Sequence, residues 1–220
     1  MQSFNRTIVV KGTGKYSAAP DLIVLKIKLE AFKQHYFQTM EYAAELLEAL
    51  RFAIQSAGHD EKALKTTRFN IDTKFERYKK LDEWQERFIG YISEHSLSLE
   101  FDFDMEKLGA TLEAISKCKA KPKLNIKFSI KDPGAVSEQL LQNAIENAKL
   151  KADILAKSAG VKLGAIQRID YNWGELNIYS ETDYTLREEC RDYISSVSMD
   201  ITPKDIDMSD TVTVVWEIDS

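Results

Sequence analysis

Gly14 and Lys15 stand where the last glycine and the lysine of a phosphate-binding loop would stand. Such a loop, G-x-x-x-x-G-K-[ST], uses its glycines to bring backbone N–H groups onto phosphate oxygens, its lysine to reach the outer phosphates and its hydroxyl to hold magnesium. Here Val9 occupies the first-glycine position and Tyr16 the hydroxyl position. The helix whose N-terminus would face the anion is replaced by Pro20 and a β-branched run from Leu22 to Leu29. The stretch GTGK therefore reads as a turn between two strands, with Gly12 and Gly14 at positive-φ or bulge positions. Nucleotide binding is not expected there.

Three other groups carry chemical side chains. Glu100, Asp102 and Asp104 alternate along one strand face, with neighbours two apart separated by ~6.8 Å. That spacing could gather oxygen ligands for calcium or magnesium, and it equally describes the wet side of an amphipathic strand. His35, His59 and His95 have no ligand-like spacing, and no H-E-x-x-H helix or G-x-S-x-G elbow is present. Cys118 continues the apolar series Met105, Leu108, Leu112, Ile115 at helical steps and reads as a buried thiol, whereas Cys190 lies among charges. Two cysteines without C-x-x-C spacing suit neither a zinc site nor a disulfide framework. No catalytic, cofactor-binding or metal-ligating set is assigned, and no cofactor is expected.

The elements that position these residues are legible from periodicity. Strands are expected near 4–11 and 21–33, then a helix over 36–57 whose face carries Phe37, Met40, Ala44, Leu47, Leu50, Ile54 and Ala57 at three- and four-residue steps. Gly58 ends it. Strands near 65–78 and 84–103 form a long hairpin, with the aromatics Phe75, Tyr78, Trp84 and Phe88 around its tip. Asp104 caps a helix over 105–118, and a strand follows at 123–131. Asp132-Pro133 then opens a helix to Ala159, closed by Gly160. That helix carries Ala144, Ala148, Ala152 and Ala156 in a row beside Leu141, Ile145 and Leu155. A row of methyl groups allows close approach, so it is expected to pack tightest on the sheet. Strands near 163–173, 193–201 and 211–218 complete an α+β fold of a single domain over 1–220: an antiparallel sheet of strand pairs and a long hairpin, covered by two or three long helices.

Composition limits the function classes. The 220 residues carry a net charge of −5 at a pI near 5.4, which argues against a nucleic-acid partner. Residues 174–207 hold nine acids against three bases, a local charge of −6, so the rest of the chain sums to about +1. No apolar run reaches the ~20 residues that a membrane helix needs. Residues 1–10 lack the apolar core and small-residue cleavage site of a secretory signal. A cytoplasmic location is expected, with the periplasm or cell envelope as the alternative if an export signal has been removed.

Four stretches together resemble the SIMPL-domain family: IVVKGTG at Ile8–Gly14 with Pro20-Asp21; FIGY at Phe88–Tyr91; Asp132-Pro133 with the helix NAKLKADILA at Asn147–Ala156 and AGVKLG at Ala159–Gly164; and TVTVVW at Thr211–Trp216. The resemblance runs from residue 6 to 218 and implies a SIMPL-like α+β domain, with the acidic 174–207 segment in a region where members vary. It further implies bacterial relatives exported to the envelope and an animal member linked to kinase signalling. The family has no agreed catalytic residues, so none transfer. The expected function is a non-enzymatic interaction or assembly protein, a homo-oligomer that uses sheet edges and the long hairpin. The alternative is a small-molecule or divalent-metal-binding enzyme with a dispersed acidic site.

Overall fold

The computed structural model describes residues 6–80, 83–172, 174, 176–186 and 201–219. Its elements in chain order are β1 (Thr7–Ala18), β2 (Leu22–Lys33), α1 (Tyr36–Ser56), β3 (Leu64–Lys80), β4 (Glu83–Asp102), α2 (Met105–Ser116), β5 (Lys123–Ser129), α3 (Pro133–Ala159), β6 (Lys162–Tyr171), β7 (Tyr179–Leu186) and β8 (Ile206–Asp219). The fold is α+β, with two antiparallel sheets in the orders β1-β8-β6 and β3-β4-β2-β5-β7. The chain divides into two compact units, residues 1–20, 129–181 and 204–220 in one and residues 21–128 and 182–203 in the other. The strand expected at 193–201 falls almost wholly outside the described residues, while β7 had no periodic signal to announce it.

In the first unit α3 lies on the β1-β8-β6 sheet. Its row Ala144, Ala148 and Ala152 is fully buried against Val10, Val212, Val214 and Trp216. The sequence places Gly12 and Gly14 at a turn, but β1 runs straight through them, paired with β8 from Thr7↔Glu217 to Ala18↔Ile206. Their role is steric. A Cβ at Gly12 would strike the Ala144 carbonyl oxygen and come within 2.6 Å of Ala148 Cβ, and one at Gly14 would strike the Leu140 carbonyl. Small residues face each other on strand and helix, which brings the two backbones together. Leu155, expected beside the alanine row, is half exposed because the row drifts around the helix. Asp132 caps α3 by accepting from the Ala135 N–H at 2.9 Å, and Gly160 closes it in the left-handed conformation at φ 70°.

In the second unit α1 and α2 cover one face of the sheet. Ile23, Leu25, Ile27 and Leu29 of β2 and Leu97, Leu99 and Phe101 of β4 meet Leu46, Leu50 and Ile54 of α1 and Leu108, Leu112 and Ile115 of α2. Apolar residues of β2 and β4 thus alternate onto the helix-covered face. The buried stripe of α1 is Thr39, Ala43, Leu46, Leu50, Ala53 and Ile54, so the face read from the sequence is rotated. Phe37 and Ala44 point to solvent, and Thr39 is fully buried, its hydroxyl donating to the His35 carbonyl at 3.0 Å. A periodicity that spans large apolar residues on two sides of a helix does not show which side the sheet selects.

Candidate interaction surface

Pairing of β2 with β4 ends at Lys33↔Tyr91, whereas β3 and β4 stay paired out to Lys80↔Glu83. Beyond the last residue of β2 the hairpin is therefore a two-stranded ribbon of residues 74–80 and 83–90. A register shift marks the transition: Lys74 faces Gly90, Phe75 faces Phe88, and Ile89 is the extra residue on β4. Gly90 is needed there, because its φ is 150° and an added Cβ would strike the Lys33 carbonyl and lie 3.0 Å from Gln34 Cα. The bulge lies where the ribbon leaves the sheet, and bulges bend a strand and increase its local twist.

Register also assigns faces to the tip aromatics. Phe75, Phe88 and Trp84 share one face, and Tyr78 lies on the other. The first face continues the helix-covered side of the sheet past the start of α1. It carries a chain of edge-to-face rings, Phe75 to Phe88 at 5.8 Å, Phe88 to Tyr91 at 5.3 Å and Tyr91 to Tyr36 at 5.6 Å. Trp84 is 72% exposed, Phe75 54% and Phe88 47%. Phe37, at the start of α1, adds a ring 70% exposed that the sequence reading placed in the core. The opposite face of the ribbon is polar: Glu76 and Arg87 pair at 2.7 Å, and the Tyr78 hydroxyl donates to Gln85 at 3.0 Å with the Arg87 guanidinium 5.6 Å from the ring centroid.

The residues considered for catalysis or metal binding have other occupations. Glu100 accepts from the Ser98 hydroxyl at 3.2 Å, and Asp104 caps α2 through the Lys107 N–H at 2.9 Å. His35 is the exposed N-cap residue of α1. His59 and His95 are buried, which pushes both below their ordinary pKa, with the positive charges of Lys107 and Arg51 acting in the same direction. The Thr111 hydroxyl donates to the Lys107 carbonyl at 2.6 Å, so it accepts from His59 Nε2 at 2.7 Å. His95 Nε2 lies 2.8 Å from the Thr66 hydroxyl and the ring packs edge-on against Phe69. Both are neutral imidazoles tying one element to another. Cys118 is buried, as its helical spacing predicts, and Cys190 lies outside the described residues.

Lys15 borders two hollows, neither of which is a phosphate cradle. One, of about 680 Å³, is lined by Thr13, Asn143, Glu146, Asn147 and Lys151, and another, of about 500 Å³, by Tyr16, Ser17, Asp207 and Met208. The Thr13 N–H, which a phosphate loop would turn toward an anion, donates to Asn147 Oδ1 at 3.0 Å. Among the described residues no three His, Cys, Asp or Glu side chains come together in a way that could hold a metal ion, and no helix is long and apolar enough to cross a membrane.

Sequence reasoning missed the role of Asn143, Asn147 and Lys151. They stand at steps of four along α3 and bond the main chain of β1 at steps of two: Asn143 donates to the Lys15 carbonyl, Asn147 accepts from Thr13 N–H and Lys151 donates to the Lys11 carbonyl, each at 3.0 Å. Four helical residues rise ~6 Å and two strand residues ~6.6 Å, so the ladders keep step. The polar i, i+4 pattern is visible in the sequence, but nothing there tells that it faces a strand edge.

A 26 kDa periplasmic immunogenic protein of Brucella melitensis biotype 1 is 25% identical over 163 residues, which is 74% of this chain and 65% of that protein. The chain thus spans just under two thirds of its relative's length. The sequence profile of the SIMPL family, described as a protein of unknown function (DUF541), matches residues 8–216, and with nearly its whole length inside that match the chain belongs to the SIMPL family.

Proposed function

We propose that this protein is a non-enzymatic assembly component that associates with further copies of itself through the β3–β4 ribbon. One observation carries the reading: Phe75, Trp84 and Phe88 share a face of a ribbon that has left the support of β2. Two-stranded ribbons are marginal in water, exposed aromatic patches mark contact sites, and aromatic side chains dominate the energetics of protein interfaces. A small-molecule or divalent-metal enzyme has less support, since Glu100 and Asp104 serve the strand and the helix cap. The name of the Brucella relative favours the periplasm over the cytoplasm as the place of this assembly.

Sedimentation at tens of micromolar tests the proposal. The parent protein is expected to exceed monomer mass, and Trp84→Ala with Phe88→Ala to lower that mass while leaving the circular-dichroism spectrum intact, because interface aromatics often contribute ~2 kcal/mol or more. Tyr78 belongs to the other face, so Tyr78→Ala is expected to lower the mass less than that double change does. A strictly monomeric parent would overturn the proposal.

A further inference from the structure

β3 is the outermost strand of its sheet and 17 residues long. Among the described residues, no group outside β4 bonds the main chain of β3 between Lys65 and Tyr78, so every second residue there presents an N–H and a C=O outward. Proteins blunt such edges with proline, bulges or cover. β3 has no proline, and its own bulge, at Thr67, lies near its start, because the second register shift inserts its residue on β4. From Arg68 onward β3 is a regular open edge.

We propose that this edge pairs antiparallel with β3 of a second copy, about a two-fold axis at Thr73; the inference rests on the self-association proposed above and specifies its geometry. The charge pattern selects the axis. With Thr73 facing itself, Asp72 faces Lys74 of the second copy, Ile71 faces Phe75, Asn70 faces Glu76, Phe69 faces Arg77 and Arg68 faces Tyr78. Each pair occurs twice, no like charges oppose each other, and the apolar pair lies on the face that bears the exposed rings. Directly opposed side chains on antiparallel strands favour opposite charges and penalise like ones. Moving the axis to Asp72 sets two aspartates together, and moving it to Lys74 sets two lysines together and Asp72 against Glu76. An axis at Phe75 pairs Lys74 with Glu76 but sets Ile71 against Lys79 and leaves Arg68 and Phe69 outside the overlap. The Thr73 axis gives the longest overlap with complementary charge. It joins the sheets of both copies into one and brings the aromatic faces of the two ribbons onto the same side.

Cysteine pairing reads the axis directly. In a Cys190→Ser background, with Cys118 buried, Thr73→Cys is expected to form a covalent dimer under mild oxidation, because residues facing themselves across the axis lie within disulfide reach. Asn70→Cys should not, since the two copies of that residue would be ~20 Å apart. Asp72→Lys should weaken dimerisation about tenfold or more, as two pairs turn from attraction to repulsion. Adding Lys74→Asp should restore it, which also shows that the single variant folds. If the parent is oligomeric but Thr73→Cys does not cross-link, or Asn70→Cys cross-links as well, the strand pairing is wrong while the ribbon contact stands. A monomeric parent removes both.

Discussion

β1 and β3 are both edge strands, and the molecule treats them differently. Along β1, Asn143, Asn147 and Lys151 occupy the outward main-chain groups of Lys15, Thr13 and Lys11. Along β3 the corresponding groups from Lys65 to Tyr78 have no such partners among the described residues. The closed edge depends on a helix held at unusually short range, which Gly12 and Gly14 permit. The open edge belongs to a strand that, together with β4, runs on past the end of β2. A long open edge invites pairing; its retention on one sheet, beside closure on the other, is the contrast on which the proposed strand pairing rests.

The comparison breaks most severely if α3 is lifted from β1. Gly14→Val places methyl groups on the Leu140 carbonyl, and a loss of about 3 kcal/mol or more in urea melts is expected, at the upper end of overpacking costs. Gly109→Ala in α2 is the matched control. Its Cβ meets nothing within 4 Å, so the change should be neutral or stabilise by up to ~1 kcal/mol. Equal effects at the two sites would show that helix proximity does not constrain Gly14. Ala148→Leu and Ala152→Leu test the same contact from the helix side, at residues fully buried against the sheet. Each should cost ~1–3 kcal/mol, and neutrality of both would place the alanine row elsewhere.

Opening the closed edge should be milder. Asn147→Ala leaves the Thr13 N–H without its partner, for a loss of about 1 kcal/mol. Combined with Asn143→Ala it should make self-association more concentration-dependent than in the parent. Unchanged sedimentation of the double variant would mean that the side-chain ladder is not what keeps β1 unpaired.

Acid distinguishes the sheets in another way, because all three histidines lie in the unit that holds β3. His59 and His95 have folded pKa values below 6.5, chiefly through burial. Above that value both states are neutral and stability is complete. As pH falls through it, the unfolded chain binds protons that the native state refuses, so stability declines until the folded values are passed. Lowering pH from about 7.5 to about 5.5 should reduce amide protection, measured relative to the slower intrinsic exchange in acid, in β4, where His95 bonds Thr66 of β3, more than in β8. Stability unchanged or raised by acid would refute the assignment of neutral imidazoles. The smallest effect is expected on the polar face of the ribbon: Glu76→Gln removes an exposed pair with Arg87 and should shift stability by no more than ~0.5 kcal/mol.

Much of this architecture was legible in residue order. The α+β class, the three helices, the long hairpin and the burial of Ala148 and Ala152 all follow from periodicity, caps and small-residue spacing, which are local properties. The errors are equally physical. Gly12 and Gly14 look like turn residues because the usual reason for glycine is conformational, and here the reason is a helix passing over the strand. Phe37 looks like core because it keeps helical step with Leu47 and Ile54, but α1 turns Thr39 and Ala43 inward and leaves the ring in solvent. The tip aromatics look like one cluster, and the register divides Tyr78 from the others.

By itself the sequence determined which segments become strands and helices and where most of them stop, since these depend on neighbours within a few residues. It also determined family membership, through the order and spacing of four weak motifs. Only the tertiary structure decided which edges are open, because that requires knowing which strand lies outermost and what lies beside it. Asn143, Asn147 and Lys151 are an ordinary polar helix stripe until α3 is laid against β1, and Phe75, Trp84 and Phe88 are ordinary strand aromatics until β2 stops at Lys33 and leaves them uncovered. Both outcomes are set by contacts between segments distant in the chain, for which local spacing carries no signal.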